Sequence, residues 1–149
     1  MRRLRELRSR AERGSTALFV AIFAPAMIFM AGLVIDGGAA LEAKQRAADI
    51  AEQAARAAAG HCRVDLLRSR GICFVDTSLV EPSVTPYRRS DGVTSLTSTL
   101  LADPDEPDLS NGVRVTVTMT FRTTLLGIVP KFKTLTIVET ADAVAVTGL

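Results

Sequence analysis

GSTALFVAIFAPAMIFMAGLVIDGGAALEAKQRAADIAEQAARAAAG, residues 14–60, is the stretch whose reading decides the fold. Its first half is apolar: residues 17–35 are 19 consecutive positions without a charge. As a helix that run measures about 28 Å, close to the roughly 30 Å hydrocarbon core of a bilayer. Its second half is built on alanine, the strongest helix former, with eleven Ala in residues 39–59. Glu42 precedes Arg46 and Glu52 precedes Arg56 by four positions, the favourable order for ion pairs along a helix. Leu41, Ala48, Ala51, Ala55 and Ala58 recur at helical spacing, predicting a narrow face for close packing on a sheet or another helix. Gly60 stands where a helix would be capped. The expectation is one long helix, leaving the membrane at Asp36 and passing a possible hinge at Asp36, Gly37 and Gly38, since each glycine costs up to about 1 kcal/mol relative to Ala.

Within the apolar half, Pro25 removes one backbone donor and is expected to kink the helix, which membrane helices tolerate. Ala17, Ala21 and Ala24 form a small-residue stripe on which a second helix can approach. A basic segment followed by an apolar run also describes a secretory signal peptide. The run exceeds the usual signal-peptide core, however, and the small residues at Gly38, Ala39 and Ala40 fall inside continuing helix, so a retained anchor is the expectation.

Working outward to the N-terminus, residues 1–14 carry six arginines against two glutamates, a net +4, so the rest of the chain sums to −2 although the whole is +2. A polybasic tail abutting an apolar span reads as positive-inside topology rather than as a nucleic-acid-binding arm. It puts the N-terminus in the cytoplasm and everything after the span outside it. Cys62 and Cys73, the two cysteines, would then face an oxidising compartment, where a disulfide is expected and two buried thiols are the alternative. A zinc site on His61, Cys62 and Cys73 lacks further ligands and any paired CxxC spacing.

Beyond Gly60 the composition changes, and the 89 remaining residues bury only a small core. Residues 72–75 (ICFV) read as a short strand, 81–92 (EPSVTPYRRSDG) as turn, and 93–101 (VTSLTSTLL) as strand or short helix. In residues 113–121 (VRVTVTMTF), apolar side chains alternate strictly with Arg or Thr, which predicts a strand with one face on a core and one in water. A second strand is expected from Phe132 through Val138 or on to Val146. Between the two, TLLGIVPK reads as a hairpin loop, and its Leu125, Leu126, Ile128 and Val129 are too apolar for full solvation. They are expected to cover the core, lie near the membrane or form a partner surface. The acidic loop at 103–108 fails the calcium-loop pattern: counted from Asp103, the sixth position is Asp108 rather than Gly and the twelfth is Arg114 rather than Glu.

No catalytic constellation emerges. His61 beside Cys62 is the nearest approach, and no phosphate loop, nucleophile elbow or zinc-protease motif is present. No catalytic, cofactor-binding or metal residues, no nucleic-acid partner and no cofactor are expected.

A short basic leader ending in glycine, then FAPAMIFMAGLVIDGG and QRAADIAEQAARAAA, resembles the TadE/TadG-like proteins of tight-adherence (Flp-type) pilus assembly, and looks most like actinobacterial members. VRVTVTMTFRTTLLGIVPKF and TADAVAVTG look like that family's terminal hairpin. The resemblance implies a pseudopilin or minor-pilin-like subunit with a cytoplasmic N-terminus, packing by its membrane helix against other pilin-like subunits. It also implies prepilin peptidase cleavage at the Gly14–Ser15 bond, although the fifth residue after the cut, usually Glu, is Phe19 here. Taken together the sequence predicts an α+β, pilin-like chain. Its parts are a basic leader (1–14), a transmembrane helix (15–36), a helical extension (37–60) and a small antiparallel β domain (61–149). The alternative is a signal-anchored or secreted envelope β domain that binds a ligand or surface and is unrelated to pili.

Overall fold

The structure, a computed structural model, describes residues 2–128 and 130–145, with side chains from Thr16 onward. The first element is a single unbroken helix, α1 (Arg2–Ala59). Residues 36–38 continue it without interruption, and Pro25 lies inside it. It ends at Gly60, whose N–H still donates to the Arg56 carbonyl at 3.0 Å. Two short helices follow, α2 (Val64–Arg70) and α3 (Thr77–Arg88), and then three strands, β1 (Val93–Ala102), β2 (Ser110–Arg122) and β3 (Thr134–Val144). The fold is α+β, a long apolar helix leading into a small antiparallel sheet.

The sheet is a meander of order β1-β2-β3 with β2 in the centre. Register follows the alternation in β2: Leu96 pairs Val117, which pairs Glu139, while Thr97 pairs Thr116, which pairs Thr140. Val113, Val115, Val117 and Met119 consequently share one face and are buried, and Arg114, Thr116, Thr118 and Thr120 point to the other. A one-residue slip would exchange these sets, so burial of the valine face fixes the register.

The buried face packs on the alanine half of α1. Ala47, Ala51, Ala54, Ala55, Ala58 and Ala59 are all in the core, in contact with the valines of β2, Leu96 of β1, and Val80 and Val84 of α3. Alanine at these positions lets the helix axis lie close to the sheet, which is why so small a domain still encloses fully buried valines. The helical extension and the β domain therefore share one core. The packing face is rotated from the expected one: Ala47 and Ala54 belong to it, Ala48 is only half-buried, and Leu41 is 64% exposed. Leu41 points away from the side of α1 on which Gly32, Asp36 and Ala47 are buried, so it is exposed although Ala40 and Ala43 beside it are half-buried.

Two segments differ from expectation. Residues 81–92 are not turn throughout, because most of them lie in α3 despite Pro82 and Pro86. That helix is started by Asp76, whose carboxylate accepts from the Ser78 N–H at 3.0 Å, a standard N-cap. It is retained because Val80 and Val84, one turn apart, are buried against the sheet. Residues 72–75 do not form a strand; only Val75 bridges to Cys62. The α2 turn was not anticipated, and it closes on Gly71 at φ 70°, a left-handed position that favours glycine.

Candidate membrane and assembly surface

The apolar half of α1 is almost without cover from the rest of the chain, which touches it only near its end. Every large apolar side chain from Leu18 to Ile35 is more than half exposed. Among the described residues this is the one helix long and apolar enough to cross a membrane. Ala17, Ala21 and Ala24 are likewise exposed along it, and Phe19 stacks on Phe23 with ring centroids 4.6 Å apart. The Gly14–Ser15 bond lies in the backbone of α1, and the Ser15 side chain falls outside those described.

At the end of the apolar run stands a contact that the sequence did not reveal. Asp36 is 2% exposed, and its carboxylate accepts three backbone hydrogen bonds from the turn after β2. The Thr124 N–H donates to Oδ1 at 2.8 Å, and the N–H groups of Leu125 and Leu126 donate to Oδ2 at 3.0 and 2.6 Å. These donors open a 3-10 turn (Leu126–Ile128) and have no carbonyl in front of them, so the carboxylate acts as their cap from another element. Four residues, or one turn, before Asp36 on the same side of the helix, Gly32 makes room for the loop. A Cβ on Gly32 would lie 2.9 Å from the Cβ of Leu125. Gly37 and Gly38, by contrast, have nothing within 4 Å of an added Cβ.

The rest of the 123–133 loop is closed on itself. The Thr123 N–H donates to the Lys133 carbonyl at 3.2 Å and its hydroxyl to the Phe132 carbonyl; the N–H groups of Ile128 and Lys133 donate to the carbonyls of Leu125 and Pro130. Leu125 and Leu126 are half-buried, Ile128 is 80% exposed, and Val129 lies outside the described residues. With Pro25, Ile28, Phe29 and Gly32 of α1, Leu125, Leu126 and Ile128 line an apolar groove of about 240 Å³.

On the far side of the domain, Cys62 and Cys73 are joined, Cα to Cα 5.1 Å. His61 sits beside the bond with its carbonyl accepting from the Asp76 N–H. The acidic loop is held by protein partners. Asp103 accepts from the N–H groups of Asp105 and Glu106 and from the Asn111 side chain, and Glu106 pairs with Arg70. Among the described residues no cluster of His, Cys, Asp or Glu has a metal-binding arrangement. The outer sheet face carries threonine pairs, Thr94 with Thr120 and Thr116 with Thr140, and an Arg114–Asp142 ion pair. The side-chain hydrogen bond from Arg114 holds the Asp142 carboxyl below its ordinary range, and that to Asp142 raises the Arg114 guanidinium. Hydrogen bonds from Ser78 lower Asp76 in the same way.

A lone uncovered apolar helix that runs on into the core of a small domain fits a membrane-anchored protein. Residues 14–61 match the family described as putative Flp pilus-assembly TadE/G-like, which bears out the resemblance read from that stretch and supports a pilus-assembly-related protein. Neither the curated proteins nor the solved structures gave a match.

Proposed function

We propose that this chain is a pseudopilin- or minor-pilin-like subunit of a tight-adherence (Flp-type) pilus assembly apparatus. Its N-terminus would lie in the cytoplasm and its α+β domain outside. The observation that carries the reading is the continuity of α1: one helix is bare and apolar over its first half and forms the domain core over its second. Neighbouring pilin-like helices would pack on the stripe of Ala17, Ala21 and Ala24, where small side chains permit close approach. The six leader arginines support the orientation. Prepilin peptidase would act at Gly14–Ser15, and Gly37 and Gly38 would ease local bending of α1, while Asp36 keeps the domain's loop on the helix. The chemistry asked of the protein is assembly rather than catalysis.

The test is genetic. Removing the protein should abolish surface pili. Complementation with Ala21→Trp, which blocks the stripe, should fail to restore them although the variant accumulates in the membrane at the normal level. Normal piliation without the protein would overturn the reading.

A further inference from the structure

We infer that the 124–128 turn is a second membrane contact, entering the lipid leaflet on the domain's side with Asp36 as the clasp that sets its depth; this rests on α1 spanning the bilayer. The height follows from α1 itself. Asp36 marks the end of the apolar run, and it holds the N–H groups of residues 124–126 at its own level. From there the turn leads back along the helix toward the span: Leu125 lies against Gly32, and Ile128 shares a groove with Pro25, Ile28 and Phe29. At 1.5 Å per residue, Gly32 and Pro25 are about 5 and 15 Å inside the boundary at Ile35. A turn packed on that part of the helix cannot remain in water while the helix is in hydrocarbon.

Two independent features fit immersion. Non-helical backbone is tolerated at membrane depth where it packs into protein, its polar groups being satisfied there, and this turn lies against Gly32 and the groove of α1. The turn's leading N–H groups are taken up by Asp36, and that of Ile128 by the Leu125 carbonyl. The side chains sort by depth as well: Leu125, Leu126 and Ile128 line the groove on the apolar helix, whereas Arg122 and Lys133 are exposed at the base of the loop. Arg122 pairs with Thr134 at the end of the sheet, and the Lys133 carbonyl is tied to Thr123, next to the clasp. Cations at that height meet the phosphate layer, with their stems running over apolar surface. The occupant of the groove is therefore the acyl chains of that leaflet, continuous with those around α1. The groove is smaller and less polar than sites for drug-sized ligands usually are.

The chain has no tryptophan, so single-tryptophan variants report depth directly. Full-length protein carrying Ile128→Trp, Ile22→Trp or Leu41→Trp is placed in phosphatidylcholine vesicles, with and without bromine on the acyl chains. All three sites are well exposed, so folding should tolerate the change. The expected result is blue-shifted emission, quenched at least twofold by brominated lipid, for Ile128→Trp and for Ile22→Trp, with Leu41→Trp unquenched by bromine and open to iodide. If Ile22→Trp is quenched and Ile128→Trp behaves like Leu41→Trp, the turn lies in water and the inference fails while the anchor stands. Blue-shifted Ile128→Trp emission without bromine quenching would mean that a protein helix fills the groove, which also overturns it. If Ile22→Trp escapes quenching, the anchor and the inference fall together.

Discussion

Loss of the Cys62–Cys73 bond should weaken the domain without changing its fold, by an amount set by the loop it closes. The bond joins residues 11 apart. On the chain-entropy model, a loop of that length is worth about 2.8 kcal/mol at 25 °C, chiefly by restricting the unfolded chain. The native geometry around the bond has its own supports. Cys62 bridges to Val75, the Arg63 N–H donates to the Phe74 carbonyl, and the Asp76 N–H donates to the His61 carbonyl. These contacts, with Cys73, Phe74 and Val75 all buried, should hold the two segments together in a Cys62→Ser/Cys73→Ser double variant. With an m-value of about 2 kcal/mol/M, the urea midpoint should fall by about 1.4 M. Tyr87 is the one tyrosine and packs against the core, so its emission from full-length protein in detergent micelles reports the domain without interference from the span. A shift below about 0.3 M, or native protein whose two cysteines are both freely alkylated, would refute the reasoning.

Three further outcomes follow from packing and charge. Ala55→Leu puts a large side chain between α1 and the sheet and should cost about 1–3 kcal/mol, whereas Gln53→Leu, on the exposed side of α1, should leave the Tyr87 unfolding midpoint nearly unchanged. Gly37→Ala with Gly38→Ala meets no neighbour and gains up to about 1 kcal/mol of helix propensity per site, so amide exchange across residues 33–41 should slow severalfold; unchanged exchange would show that this part of α1 is already rigid. Asp142 and Asp76 have carboxyl pKa values lowered on folding by Arg114 and by Ser78. Their contribution is therefore present above the unfolded carboxylate value near 4 and lost as pH falls through the lower folded values. An acid titration of stability should show this loss below about pH 4, and Asp142→Asn should flatten part of it.

What was legible in the sequence follows the strength of its periodicities. The apolar run and the alanine-rich stretch identify α1 because both patterns persist over several turns. The alternation in residues 113–121 identifies β2, because each valine faces the core that α1 provides. Helix α3 was hidden by Pro82 and Pro86, whose local preference is overridden by the Asp76 cap and by burial of Val80 and Val84. The helix face was misplaced by Leu41, a large apolar residue that looks like a core anchor but points away from the side of α1 that carries Asp36 and Ala47. The Asp36 clasp was illegible for a different reason. Its partners are backbone N–H groups almost ninety positions away, and backbone donors carry no residue signature. Two oddities pointed toward it separately: an acid at the edge of an apolar run, and an apolar loop between strands. Only the fold brings them together.

The account depends most on α1 being retained as one piece from the membrane into the domain core. Intact mass of the protein extracted from its native membranes measures this directly. The predicted mature chain carries the whole apolar run, whether or not the Gly14–Ser15 bond has been cut. A mature chain starting near Leu41 would contradict it, because the membrane helix, Asp36 and the clasp would all be gone.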